Sequence, residues 1–171
     1  MLDRRLFNRL TKHSNWLHRK RIAMGDKQRI WFRGNESLTK QLIKYSDGHF
    51  ELELLGEYWR QPYIHEARAL GVAPHKGCRI REVILKCQGQ NTVYARSIIS
   101  DKAIQASKHQ LTKLGTVPLG HLLFKQAKVN LETRQIAKIR VDDQFYFARR
   151  TLYELNGEDI LVTEYFLKPL W

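Results

Sequence analysis

The sequence predicts a single α+β domain, with an antiparallel sheet and helices that cover one face of it. Three observations predict this class. At 171 residues the chain is long enough for one sizeable core. Short segments of alternating apolar residues are joined by tight turns, of which Asn156-Gly157 is the strongest signal. The chain also lacks the strand–helix–strand alternation that builds a parallel sheet.

The N-terminal segment is predicted to be a basic amphipathic helix over residues 1–17. Leu2, Leu6, Leu10 and Leu17 recur at helical spacing, with arginines and lysines between them. No unbroken apolar stretch of the kind found in secretory signals or membrane spans is present.

Charge divides the chain unevenly. Residues 1–45 hold 12 Lys/Arg against 3 Asp/Glu, whereas the other 126 residues hold 18 against 14. We therefore distinguish a basic, helical segment, residues 1–34, from a nearly balanced body, residues 35–171. The basic surplus has two interpretations. One is a solvated helix face, and the other is a weak contact of residues 1–21 with an anionic membrane.

The first part of the body is predicted to contain one helix and one strand. Asn35 can cap a helix that runs to about Tyr45, and Ser46-Asp47-Gly48 ends it. Residues 49–68 are predicted to be extended because apolar residues alternate with glutamates, and residues 69–77 resemble a loop.

Two hairpins with helices between them are predicted for the rest of the body. The first joins residues 80–87 and 92–99 through a turn at Gln88-Gly89-Gln90-Asn91, and the second joins residues 145–155 and 160–167 through Asn156-Gly157. Between the hairpins we predict helices that begin near Ser100 and at Pro118, and a strand near residues 128–140.

Charged residues fall on apolar faces of these strands. In strict alternation Arg81 shares a face with Val83, Glu164 shares one with Phe166, and Arg96 lies on an apolar face of its own strand. A buried charge is costly unless it is paired or binds a ligand. One interpretation is an internal ion pair, for example Arg81 with Glu164. The other is an enclosed site, in which an arginine holds a carboxylate and burial favours a protonated glutamate.

The same segments carry a family resemblance. The motifs are Arg81-Glu82-Val83-Ile84-Leu85, Tyr94-Ala95-Arg96-Ser97, Lys113-Leu114-Gly115-Thr116-Val117-Pro118-Leu119-Gly120-His121-Leu122-Leu123-Phe124, Arg149-Arg150 and Leu161-Val162-Thr163-Glu164-Tyr165-Phe166. In order and approximate spacing, residues 35–171 resemble chorismate pyruvate-lyase, the bacterial 4-hydroxybenzoate synthase of ubiquinone biosynthesis.

The resemblance implies an antiparallel α+β fold whose helical flaps enclose the ligand. It implies a monomeric, cofactor-free lyase that converts chorismate to 4-hydroxybenzoate and pyruvate, the first committed step of ubiquinone biosynthesis. Cys78 and Cys87 fit a reducing compartment as free thiols, and we expect a cytoplasmic protein. No Cys/His pattern has the spacing of a zinc site, and we expect no metal.

The resemblance also implies roles for four residues. Arg81 matches the arginine that grips a carboxylate, and Glu164 matches the acidic residue at the other end of the pocket. We predict that both are catalytic and bind substrate. Leu119 matches a leucine that lines the pocket, and Leu38 stands where some members of the family have methionine. The roles of Arg96, Arg149, Arg150 and His121 stay open.

Two other functions compete with a lyase. A non-catalytic sensor of small acids could share this fold, although the roughly 35 residues before the matching region are too few for a winged-helix DNA-binding domain. The net charge of +13 suggests a nucleic-acid-binding protein. Because no nucleic-acid recognition motif accompanies that charge, we predict no nucleic-acid partner.

Overall fold

The computed structural model describes residues 3–12, 15–18, 24–34, 36–126, 128–129, 133–168 and 170. Its helices are α1 (Arg4–Lys12), α2 (Asp26–Arg33), α3 (Leu38–Tyr45), α4 (Ile64–Leu70), α5 (Asp101–Ala106) and α6 (Leu119–Gln126), with a 3₁₀ turn at Gln110–Thr112. Its strands are β1 (Leu17–His18), β2 (Phe50–Arg60), β3 (Cys78–Cys87), β4 (Gln90–Ile99), β5 (Lys128–Val129), β6 (Gln135–Val141), β7 (Gln144–Leu155) and β8 (Glu158–Phe166).

The strands form one sheet in the order β1-β6-β7-β8-β4-β3-β2, with β5 also paired to β7. Every pairing among the described strands is antiparallel. The predicted α+β class is therefore confirmed. The strand predicted near residues 128–140 is divided into β5 and β6.

Tight turns set the register of both predicted hairpins. Gln88 and Gly89 join β3 to β4 with φ of 52° and 73°, and Asn156 and Gly157 join β7 to β8 with φ of 52° and 84°. Two successive residues with positive φ make the turn whose twist matches that of the strands. Such a turn fixes which residues of the two strands lie opposite each other.

The helical cover differs from the prediction of a single covered face. Helices α2, α3, α5 and α6 pack on the face that carries Val83 and Ala95. Helices α1 and α4 pack on the opposite face, against Ile84, Tyr94 and Ile98. The physical reason is that the central strands carry apolar side chains on both faces, so both must be removed from water.

The N-terminal segment is built into this core. Phe7 and Leu10 of α1 are buried against the sheet, so the apolar face of the helix is already occupied by protein. Leu17 is not helical as predicted but pairs with Ile136 of β6. Parts of the basic segment, at residues 1–2, 13–14, 19–23, lie outside the described residues. None of the described helices is long and apolar enough to cross a bilayer.

The extended structure predicted through residue 68 ends at Arg60, because α4 begins at Ile64. The backbone N–H of Tyr63 donates to the Glu66 carboxylate over 2.9 Å, and Gly71 ends the helix in the left-handed conformation. These are signals of a capped helix that outweigh the local alternation. Helix α3 begins after Ser37, while Asn35, the predicted cap, lies outside the described residues.

Candidate active site

A small cavity lies between the sheet and helices α3 and α6, and it holds about 40 Å³. The four residues predicted for the site all line it: Leu38, Arg81, Leu119 and Glu164. Most of the other lining residues are apolar or small: Ser37, Thr39, Leu52, Val83, Leu85, Ala95, Ser97, Pro118, Gly120, Leu123, Tyr153 and Val162. Arg81 and Glu164 are the charged lining residues among those that the structure describes.

Two of the three side-chain nitrogens of Arg81 are hydrogen-bonded to protein. Its side chain is 2% exposed. Its Nε donates to Glu57 Oε1 over 2.9 Å, and its Nη2 donates to the carbonyls of Gly115 and Val117, both over 3.0 Å. Burial lowers the pKa of this guanidinium, and the Glu57 carboxylate opposes that shift. Among the described residues Nη1 has no hydrogen-bond partner, so it remains free to bind an anion in the cavity.

Glu57 reaches Arg81 because of a β-bulge. The register of β2 against β3 shifts between Leu54 and Gly56, which sets Glu57 opposite Arg81. Without the extra residue the alternation would turn Glu57 to the other face. Glu57 was not predicted from the sequence, although Gly56 inside a strand is a signal for a bulge.

The two carbonyls that accept from Arg81 belong to the loop that leads into α6. Gly115 has a φ of 53°, a conformation that favours glycine, and Pro118 precedes the first turn of α6. Arg81 therefore ties the sheet to the loop that positions Leu119. The positive φ thus gives Gly115 a structural role that needs no contact with a ligand.

Glu164, at the other charged end of the cavity, is paired with Arg149 rather than with Arg81. Arg149 Nε donates to Glu164 Oε2, and Arg149 Nη2 donates to Oε1 over 3.4 Å. The internal pair of Arg81 with Glu164 is therefore wrong. Counting back from the two-residue turn at Asn156-Gly157 places Arg149 opposite Glu164, so the sequence carried the signal for this partner.

Arg149 connects the site to α2. Its Nη1 donates to the backbone carbonyl of Trp31, and the side chain is fully buried. Although burial opposes it, the Glu164 carboxylate raises the pKa of Arg149. Tyr153 lies four residues after Arg149 in β7, on the same face of the sheet. Burial raises its pKa to about 12. The Arg149 guanidinium therefore stays charged, and the Tyr153 hydroxyl stays protonated, near neutral pH.

Leu38 and Leu119 form apolar walls. Each is the first residue of its helix, α3 and α6 respectively, and both are buried. The two helices thus present aliphatic side chains to the cavity. An apolar enclosure strengthens every electrostatic interaction made inside it.

The remaining candidates lie elsewhere. Arg96 is on the opposite face of the sheet, where it bonds to Glu66 and Glu82. Arg150 also points to that face, into a separate cavity. His121 is exposed on α6 and does not line the active-site cavity.

Comparison with known proteins identifies the family. The chorismate lyase family model matches residues 10–171. A protein of Pseudomonas syringae pv. tomato named probable chorismate pyruvate-lyase is 31% identical over an alignment of 177 positions, which covers 95% of this chain and 95% of the relative. A protein of the same name from Pseudomonas putida is 36% identical over 148 residues, covering 82% of this chain and 80% of the relative.

Solved structures show the fold in more distant proteins. The C-terminal domain of PhnF matches with a TM-score of 0.55 at 15% identity, covering 78% of this chain and 93% of that one. A GntR-family transcriptional regulator from Bacillus cereus matches with a TM-score of 0.50 at 12% identity, covering 70% and 92%. At these identities the likeness concerns the fold. The family match over nearly the whole chain, together with the relatives of similar length, shows that the chain belongs to the chorismate lyase family.

Proposed function

We propose that this protein is a chorismate pyruvate-lyase that releases 4-hydroxybenzoate and pyruvate. The observation that carries the proposal is the free Nη1 of Arg81 at one end of an apolar, enclosed cavity whose other end is the Glu164–Arg149 pair. Family membership supports the choice of chorismate as substrate.

The two ends of the cavity suit the two ends of the ring. A carboxylate on the ring can accept a charge-assisted hydrogen bond from Arg81 Nη1, and the hydroxyl on the opposite ring carbon can donate to the Glu164 carboxylate. Leu38 and Leu119 would then press on the faces of the ring. In this arrangement the protein fixes the ring and leaves the enolpyruvyl ether folded over it.

The reaction needs the loss of two ring substituents. The ether C–O bond breaks at ring carbon C3, the hydrogen on C4 leaves, and the methylene carbon of the departing enolpyruvyl group gains a proton, which gives pyruvate. The ring becomes aromatic, and this supplies driving force. Enclosure favours the internal transfer of that hydrogen because water is excluded.

Arg149 defines what Glu164 does in this scheme. With two N–H groups of Arg149 directed at its oxygens, Glu164 acts as a carboxylate that accepts a hydrogen bond from the ring hydroxyl, rather than as an acid that protonates the ether. Arg149 is a positioning residue, because it acts through Glu164. This refines the expectation of a glutamate kept protonated by burial.

Substrate enters this site only when it opens. A volume of about 40 Å³ is close to the space that one water molecule occupies. Chorismate therefore requires α3 and α6 to move apart, and the loop at residues 113–118 is the element that Arg81 must release or carry along. Product release needs the same opening, which makes it a slow step in the cycle.

The test is incubation of purified protein with chorismate, followed by chromatography of the products. We expect 4-hydroxybenzoate and pyruvate in equal amounts, and an Arg60→Ala variant, altered at an exposed strand end, should produce them at the same rate. Folded protein that yields neither product contradicts the proposal. Binding of chorismate without turnover would instead favour the sensor function.

The remaining expectations extend this proposal. A place at the start of ubiquinone biosynthesis follows from the product, and we propose a monomer that works in the cytoplasm without a cofactor. The membrane contact of residues 1–21 rests on charge, because the apolar side of α1 packs on the sheet.

A further inference from the structure

A second cavity lies on the opposite face of the sheet, and it belongs to no part of the proposed reaction. It holds about 540 Å³. The described residues that line it include Trp16, His65, Arg68, Arg150, Leu152 and Leu161. Arg149 and Arg150 are successive residues of β7, so one reaches the active site and the other reaches this cavity.

Neutral groups hold the Arg150 side chain, which is 7% exposed. Its Nε donates to Gln135 Oε1 over 2.7 Å, and its Nη1 donates to the His65 carbonyl over 3.3 Å. The Trp16 ring lies over the guanidinium at 4.5 Å. Among the described residues Nη2 has no hydrogen-bond partner, and Arg150 has no carboxylate partner. The guanidinium is therefore rigid, oriented and not neutralised.

His65 is neutral in this arrangement. Its Nε2 lies 2.9 Å from the carbonyl oxygen of Thr11, which can only accept, so Nε2 carries the proton. Nδ1 then accepts from Arg150 Nη1 over 3.3 Å. Burial lowers the pKa of His65, in keeping with the neutral ring. The histidine orients Arg150 without adding or cancelling charge.

Glu66 acts on Arg150 through its charge, but it is bonded to another arginine. The carboxylate oxygens of Glu66 are both bonded to Arg96. Arg68, a second and exposed lining arginine, also has no ion pair among the described residues. Burial lowers the pKa of Arg150 to about 10, although Tyr165 and Glu66 oppose that shift. Two arginines and no described acidic residue thus border one cavity.

We propose that this cavity binds a small organic carboxylate, which Arg150 Nη2 and Arg68 hold by its anionic end. The other residues that line the cavity favour an organic carboxylate over an inorganic anion. Trp16, Leu152 and Leu161 are apolar, and the volume is several times that of phosphate. A ligand with a carboxylate and a flat apolar body satisfies both the charge and the wall.

The indole resonances of two tryptophans give a direct test. Trp16 lines this cavity, whereas Trp31 lies on the active-site face, where its Nε1 donates to the Leu170 carbonyl over 3.2 Å. Benzoate and, separately, inorganic phosphate are titrated into the full-length protein while both indole N–H signals are followed by NMR. We expect benzoate to shift the Trp16 signal saturably, and phosphate to leave it in place.

Variants attribute the shift to the cavity. We expect Arg68→Gln, at an exposed position that leaves the core intact, to weaken the benzoate dependence of the Trp16 signal about tenfold, and Arg150→Gln to abolish it. Arg5→Gln removes the same charge from an exposed residue of α1 and should change nothing. A Trp16 signal that benzoate does not move, or that moves equally in Arg68→Gln, overturns the proposal. So does a phosphate response that exceeds that of benzoate.

Discussion

Two arginines on neighbouring strands, Arg81 and Arg96, are buried on opposite faces of the same sheet and are partnered differently. Arg96 uses all three nitrogens: Nε and Nη2 bond to Glu66, and Nη1 bonds to Glu82 over 2.8 Å and to the Tyr58 hydroxyl over 3.3 Å. Arg81 keeps Nη1 without a partner among the described residues, and its side chain lines a cavity.

The unequal hydrogen bonding of Arg81 and Arg96 shows how the role of a buried charged residue can be inferred. Both arginines lie on apolar faces, and both face a glutamate, so burial does not separate them. What separates them is the number of donors left over and the presence of space beside them. An arginine whose three nitrogens are all hydrogen-bonded to protein stabilises the fold. An arginine that keeps one nitrogen without a partner beside a cavity is available to a ligand.

The largest expected effect is the loss of stability when the saturated network is broken. Arg96→Met leaves the buried Glu66 and the partly buried Glu82 without their cation, and we expect the free energy of unfolding to fall by about 3–5 kcal/mol. Denaturant unfolding measures it. Arg60→Met, at an exposed position, is the matched control and should stay within about 0.5 kcal/mol of wild type. A change for Arg96→Met as small as that of the control would remove the distinction.

Glu164 should affect activity more than the fold. We expect Glu164→Ala to lower kcat/KM more than Glu164→Gln, by about tenfold, because glutamine keeps the volume and an acceptor oxygen for the substrate hydroxyl. Rates with chorismate, measured beside unfolding curves for both variants, give the comparison. Equal loss in both variants would indicate a glutamate that titrates during the reaction. Full activity in both would remove Glu164 from the site.

The saturated network should also make stability depend on acid pH. Burial would raise the pKa of Glu82, but hydrogen bonds from Tyr94, Tyr58 and Arg96 outweigh it and lower that pKa. A carboxyl whose pKa is lower in the folded state stabilises the protein above its unfolded pKa, near 4.5, and loses this contribution as the pH falls. Unfolding measured from pH 6 to pH 3 should show a steeper decline in wild type than in Glu82→Gln. Parallel curves would contradict the assignment.

The smallest expected effect concerns the membrane. Each basic residue near an anionic surface contributes up to about 1 kcal/mol, and salt screens it. Because truncation would remove buried Phe7 and Leu10, the sharper variant is Arg5→Gln with Lys12→Gln, both exposed. We expect less co-sedimentation with anionic vesicles at low salt, and no change for a Lys102→Gln, Lys108→Gln control. Wild type that shows no preference for anionic over neutral vesicles would rule out the contact.

The sequence predicted much of the sheet and the two charged ends of the cavity. Alternation put Arg81 and Glu164 each on an apolar face of its own strand, since a strand has only two faces and apolar neighbours mark the buried one. The residues that pair with Arg81 and Glu164 were harder to predict. Glu57 depends on a bulge that alternation does not contain, and Arg149 depends on the register that a two-residue turn imposes. Helix α4 was missed because its capping interactions span only a few residues and local alternation was given more weight.

Arg81 bonds to the loop that leads into α6 and, in the proposed reaction, also holds the substrate; Arg81→Ala tests this second role most directly. Glu57 keeps a partner in this variant, because Arg79 also bonds to it. We therefore expect folded protein whose kcat/KM for chorismate is lower by about 30-fold or more, corresponding to about 2 kcal/mol for a lost charge-assisted hydrogen bond. Near-wild-type kcat/KM in a folded Arg81→Ala protein would contradict the account.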